Sequence, residues 1–195
     1  MKGLMMGTPL LISSLIRNAD RNHGTTEIVS RTVEGGIHRY TYRDLTGRVA
    51  RLSNALRGLG VEEGDRVATF GWNTYRHLEA YFAAPVMGAV VHTVNIRLAA
   101  EDIVYIINHA ADKVILVDPD LVPILEALAP RLESVEHYIV MTGDRDFSTS
   151  LPSVLNYEEL LASASSEYLP ADLDENAPAG LCFTSATTGR PKGVT

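Results

Sequence analysis

A single cysteine, Cys182, stands in 195 residues. An internal disulfide is therefore excluded, and the chain reads as one made for a reducing compartment, the cytoplasm. Positive charge is also short: 17 Lys and Arg stand against 24 Asp and Glu, a net charge of −7, with no basic stripe anywhere. That excludes nucleic acid as a main partner, because neutralising a phosphate backbone requires clustered cations. No apolar run reaches the ~20 residues of a membrane span, so no transmembrane segment is expected. The stretch "AYFAAPVMGAVVHTV" (80–94) is broken by Pro85 and Gly88 and reads as a buried helix running into a buried strand. "GLMMGTPLLISSLI" near the start has no A-x-A-like cleavage site after it. It reads instead as a short amphipathic helix with Thr8 as N-cap and Pro9 at the first helical position.

Several motifs are missing too. Six histidines (23, 38, 77, 92, 109, 137) lie far apart with no H-E-x-x-H and no cysteine partner, so no metal ligand is assigned. His92 alone stands where a parallel strand ends, the place where α/β ligand crevices form, although a satisfied core histidine is the plainer reading. No G-x-G-x-x-G opens a helix, and no G-x-x-x-x-G-K-[ST] occurs, because Lys192 precedes Gly193. Cys182 has no base in view and reads as a buried small hydrophobe. Trp72 and Tyr75 either border a ligand or pack at a strand end. Asn95 and Arg97 shape the turn after their strand.

What is present is an α/β pattern. Hydrophobic residues make up 46% and charged residues 21%, the balance of a folded globular chain. "TEIVSRTV" and "GIHRYTY" flank Glu34-Gly35-Gly36, a hairpin signal. Leu45, Val49, Leu52, Leu56 and Leu59 recur at spacings of three and four, one face of a helix closed by Gly58 and Gly60. Strands then follow at 65–71, 89–94, 113–118 and 136–141, with helical segments between them and a last short helix at 157–163. Such alternation implies βαβ units around a mainly parallel sheet flanked by helices. "TGDRDFSTSLPS" and "SASSEYLPADLDENAPA" read as surface loops.

The closing segment, "AGLCFTSATTGRPKGVT" (179–195), joins an apolar strand to a run of small and hydroxyl residues before a lysine. Small residues let the backbone approach an anion, successive N–H groups form a nest, hydroxyls add donors, and a lysine adds charge. A plain Ser/Thr/Gly turn is the competing reading. "TSATTGRPKG" resembles the signature T-S-G-T-T-G-x-P-K-G of the adenylate-forming superfamily of acyl-CoA synthetases, luciferases and peptide-synthetase adenylation domains. "YTYRDL", "LGVEEGDRVA" and "NTYRHLEAYFAAPVMGAVVHTVNIRL" extend the resemblance over nearly the whole chain, and "HTVNIRL" leans toward medium- and long-chain fatty-acid:CoA ligases.

The resemblance implies a two-step reaction with ATP, Mg²⁺ and coenzyme A: a fatty acid becomes an acyl-adenylate, then a thioester. It implies that Thr184, Ser185, Thr187, Thr188 and Gly189 cradle the β- and γ-phosphates and that Lys192 neutralises the departing pyrophosphate. Ala186 stands where the family pattern has glycine, a departure the loop is expected to tolerate. The resemblance further implies that residues 1–195 are an incomplete N-terminal domain, with the strand and phosphate loop at 175–195 and a C-terminal remainder absent. On that expectation Gly189 to Thr195 are mobile and the chain alone is catalytically inert. Ligation of another carboxylate, aryl or sulfur-containing, stays open, as does a non-catalytic α/β interaction module; homodimers are common among similar ligases.

Overall fold

The structure, a computed structural model, describes residues 7–167, 169, 171–184 and 189–195. The first helix, α1 (Ile12–His23), begins later than the sequence suggests: Leu11 is the N-cap residue, and Thr8 and Pro9 precede the helix without capping it. Its apolar side carries Ile16, which is buried. Strands β1 (Glu27–Arg31) and β2 (Ile37–Thr41) pair antiparallel, Glu27 opposite Thr41. Gly35, at φ +94°, supplies the left-handed residue of their turn.

Helix α2 (Tyr42–Gly58) starts on a reciprocal cap. Thr41 Oγ1 accepts the Asp44 N–H, and Asp44 Oδ2 accepts the Thr41 N–H, so two donors that a helix start leaves unpaired are satisfied. Its Leu45, Val49, Leu52 and Leu56 are fully buried, each such side chain contributing about 1.5–3 kcal/mol by area removed from water.

The rest of the chain builds one sheet. In chain order come β3 (Arg66–Phe70), α3 (Tyr75–Val86), β4 (Val90–Thr93), α4 (Ala100–Ala110), β5 (Asp112–Val117), α5 (Val122–Leu128), β6 (His137–Val140), β7 (Val154–Asn156), α6 (Tyr157–Ser163), β8 (Gly180–Phe183) and β9 (Gly193–Val194). The strand order is β7-β6-β5-β3-β4-β8-β9, every pair parallel except β8 with β9. Helix α3 includes Pro85, which has no N–H to donate, and ends one residue later at Val86.

Both faces of the sheet are covered. One set of inward residues, including Val67, Val91, Val114, Leu116 and Ile139, packs with α1, α2, α3 and α6. The alternate set, including Ala68, Phe70, Ile115, Val117 and Val140, packs with α4 and α5. Strands buried on both faces read as the near-continuous apolar runs seen in the sequence. The first core also holds charge: Glu79 is wholly buried, and its carboxylate accepts from Arg48 Nε at 2.7 Å and from Tyr157 Oη at 2.6 Å.

Candidate functional site

Strand β8 delivers the chain to the carboxyl ends of the parallel strands, and β9 takes it back. Between them the loop is pinned twice: the Thr184 N–H donates to the Lys192 carbonyl at 3.0 Å, and the Lys192 N–H donates to Thr184 Oγ1 at 3.3 Å. Thr184, Gly189 and Lys192 are exposed. Gly189 has φ +137°, a conformation that L side chains rarely adopt. Pro191 is buried and anchors the returning arm. Ser185, Thr187 and Thr188, read as phosphate ligands, and Ala186, the departure from the signature, lie outside the described residues. The tail expected to be mobile pairs as a strand, with Phe183 opposite Gly193 and Cys182 opposite Val194. The approach is tight: a Cβ at 193 would lie 3.1 Å from Leu181 Cδ1 and 3.3 Å from Phe183 Cζ, so those side-chain ends would have to shift.

An aromatic layer supports the loop. Phe183 lies 5.2 Å from the His92 ring and 6.1 Å from the His109 ring, centroid to centroid, and Tyr105 stacks on His109 at 5.3 Å. The Arg190 guanidinium sits 5.2 Å from the Tyr105 centroid. His92 is fully buried, as the core reading expects, and its Nδ1 lies 2.7 Å from Asp112 Oδ2. Among the described residues, His92 Nε2 and Asp112 Oδ1 have no hydrogen-bond partner.

This pair depends on a bulge. Arg66 faces Asp112 while Val67 faces Val114, so Lys113 is an extra residue in β5. One extra residue reverses side-chain alternation and turns Asp112 to the face on which His92 lies. The strand between them presents only Ala68 at the register of His92. Burial raises the Asp112 carboxyl above the usual range, opposed by the nearby imidazole.

A second buried acid lies at the carboxyl ends of β3 and β5, whose following helices α3 and α5 lie on opposite faces, the switch-point position of open α/β sheets. Asp118 Oδ2 accepts the Trp72 N–H at 2.6 Å. Burial pushes this carboxyl up to about 6, the Trp72 hydrogen bond working against it. Gly71 is required here because a Cβ would lie 2.8 Å from Asp118 Oδ2 and 2.7 Å from Met141 Cε. Trp72 is 40% exposed and donates from Nε1 to Asp120, whereas Tyr75 is buried and stacks on His38. Asn95 Oδ1 accepts the Arg97 N–H, shaping the turn after β4 as expected.

Another sequence reading changes, and two residues were missed. Cys182 is exposed rather than buried, its Sγ 3.1 Å from Thr93 Oγ1, because β8 carries it on a stretch of the sheet face that the helices of that layer do not reach. Asp112 and Asp118, unremarked in the sequence, open and follow β5; the signal was an apolar strand with an acid at each end, "DKVILVD". Among the described residues no three His, Cys, Asp or Glu side chains are placed to hold a metal ion, and no helix is long and apolar enough to cross a membrane.

Residues 15–195 match the family described as AMP-binding enzyme. The chain is 43% identical over all of its 195 residues to the 3-methylmercaptopropionyl-CoA ligase of Ruegeria lacuscaerulensis, covering 36% of that protein. It is 46% identical over 97% of its length to the long-chain-fatty-acid–CoA ligase of Thermus thermophilus, covering 34% of it, and 40% identical over its full length to the medium-chain enzyme of Ectopseudomonas oleovorans, covering 36%. The chain thus spans about a third of the length of these curated relatives. Among solved structures, an anthranilate CoA ligase in complex with anthranoyl-AMP superposes with a TM-score of 0.83 at 19% identity, over all of this chain and 36% of that one. An acyl-CoA synthetase of Brucella canis gives 0.78 at 20% identity, over 96% and 33%. These two establish the fold.

Proposed function

The chain belongs to the AMP-binding enzyme family, and from that premise we propose that it serves in an ATP-dependent acid:CoA ligase, with residues 184–193 as the phosphate loop. In the first step a substrate carboxylate oxygen attacks the α-phosphorus of ATP and the bond to pyrophosphate breaks. In the second, the thiolate of coenzyme A attacks the acyl carbonyl and AMP leaves. Positioning and charge neutralisation supply most of the catalysis in the first step.

The observation that carries the reading is the double closure of Thr184 on Lys192. It commits both backbone groups to holding the loop and leaves the Lys192 side chain exposed at the carboxyl end of the sheet, where a leaving pyrophosphate needs a mobile cation. Thr184 and Gly189 line the same loop, and Ser185, Thr187 and Thr188 complete its set of donors by the resemblance. Mg²⁺ would add positive charge to offset that of the phosphates; among the described residues no three His, Cys, Asp or Glu side chains are placed to hold it.

A medium- or long-chain fatty acid is the substrate we favour, on "HTVNIRL" and on the identity to two fatty-acid ligases. A sulfur-containing short acid is the second reading, favoured by the 43% identity to the methylmercaptopropionyl-CoA ligase over the whole chain. A cytoplasmic location belongs to the same proposal and rests on cysteine scarcity; homodimeric assembly rests on analogy.

Titrating the purified chain with Mg-ATP and with pyrophosphate tests the loop. Binding is expected, with Lys192→Ala weakening it about tenfold, or about 1.4 kcal/mol. Binding that ignores Lys192 would remove the assignment. No pyrophosphate release from ATP and a fatty acid is expected from this chain alone.

A further inference from the structure

The geometry points to Tyr105 as a positioning residue for the phosphate loop, holding one arm directly through Arg190 and the other through His109 and Phe183. Tyr105 and His109 stand four residues apart on α4, hence on one face of the helix. Their rings stack at 5.3 Å, interplanar angle 23°. His109 meets Phe183 edge to face at 79°, and Phe183 immediately precedes Thr184, where the loop leaves β8. At the other arm the Arg190 guanidinium lies over the Tyr105 ring, two residues before the Lys192 that closes the loop.

Both arms therefore rest on one platform outside the Thr184–Lys192 closure. The two contacts divide the work: the backbone bonds set how far apart the arms are, and the ring contacts set how the closed loop is oriented against α4. Arg190 has a function here that its place in the signature does not assign, since that position is open to any residue in the pattern T-S-G-T-T-G-x-P-K-G. Its guanidinium lies over the Tyr105 ring, 5.2 Å from the centroid, which gives it a partner on α4. The functional meaning of the platform rests on the reading of this loop as the phosphate loop; the platform itself does not.

The test is amide hydrogen exchange of peptides spanning Phe183 to Thr195 in the free chain, read beside core peptides from β3 and β5. Tyr105→Leu and Arg190→Gln are each expected to speed exchange of the loop about two- to fivefold, as loss of one exposed cation–π contact would, with core exchange unchanged. Tyr105→Phe, which keeps the ring, and Arg190→Lys, which keeps the charge, are expected to stay near the parent. The double variant Tyr105→Leu with Arg190→Gln should exchange no faster than Tyr105→Leu alone, because one contact cannot be lost twice. Unchanged loop exchange in Tyr105→Leu overturns the inference, and so does exchange that rises equally in core and loop, which would mark Tyr105 as ordinary packing. A parallel titration with Mg-ATP keeps the two readings separate. No binding by the parent chain counts against the proposed function while the exchange result still decides the platform; binding weakened by Tyr105→Leu and rescued in Tyr105→Phe supports both.

Discussion

His92 and Asp112 meet across an intervening strand, Nδ1 to Oδ2 at 2.7 Å, although β3 separates β4 from β5. Both side chains are fully buried, so each depends on the other for its principal hydrogen bond. Asp112→Leu leaves the imidazole with no acceptor and is expected to cost about 2–4 kcal/mol in urea unfolding. Asp112→Asn keeps an oxygen that accepts an Nδ1–H and should cost about 1 kcal/mol. Equal losses in the two variants would mean that the contact contributes nothing beyond packing.

Asp118 makes stability depend on pH in the direction opposite to a salt-bridged acid. Its carboxyl is raised to about 6, against ~3.9 in an unfolded chain. Between those values the folded protein keeps a proton that the unfolded chain has released, so this group's contribution falls as pH rises through the window and is constant above it. Burial dominates, the Trp72 N–H opposes it, Asp120 and Glu34 add to the rise, and Arg76 offsets them. Asp118→Asn, which keeps an acceptor for Trp72, should raise stability by about 1–2 kcal/mol near pH 7.5 and by nothing near pH 4. A gain of the same size at both pH values would contradict the assignment.

Glu79 tests the charge inside the first core. Its two partners, Arg48 and Tyr157, both donate to it, and Arg48 also bonds both carboxylate oxygens of Glu158. Glu79→Leu leaves Arg48 Nε and the buried Tyr157 hydroxyl without their acceptor, while Arg48 keeps Glu158, and is expected to cost about 1–3 kcal/mol, measured as a shift in denaturant midpoint. Glu79→Leu combined with Tyr157→Phe, which removes the unpaired buried hydroxyl, should recover part of that loss.

Gly193 is a packing requirement that a graded series exposes. Gly193→Ala places a methyl against the movable ends of Leu181 and Phe183 and should cost about 1 kcal/mol, whereas Gly193→Val should cost about 1–3 kcal/mol and break the β8–β9 pairing. Amide exchange at Thr184 and Val194 reports the pairing. Protection retained in the valine variant would show that Leu181 and Phe183 give way and that the pairing does not need a glycine at 193.

The strands and helices of the sheet were legible because parallel strands buried on both faces leave apolar runs, and helices between them leave a three-and-four spacing; α6 was legible to the residue. Strands β7 and β9 were not, because three and two residues carry no period and their existence depends on a neighbour already in place. The start of α1 was misplaced because Thr8-Pro9 imitates a cap that the chain does not use. Lys192, Thr184 and Gly189 stood out by chemistry in a pattern. The His92–Asp112 pair was only half visible, since a bulge reverses the alternation from which facing is read. Exposure of Cys182 escaped for a related cause: an apolar strand looks the same whether or not a helix reaches its far end.

Strand β9 reverses the direction of travel at the edge of an otherwise parallel sheet. Whatever is joined after Thr195, an affinity tag or a fluorescent reporter included, departs toward the amino ends of the strands, away from the mouth of the loop. A label attached there is led away from the Lys192 side chain rather than across it.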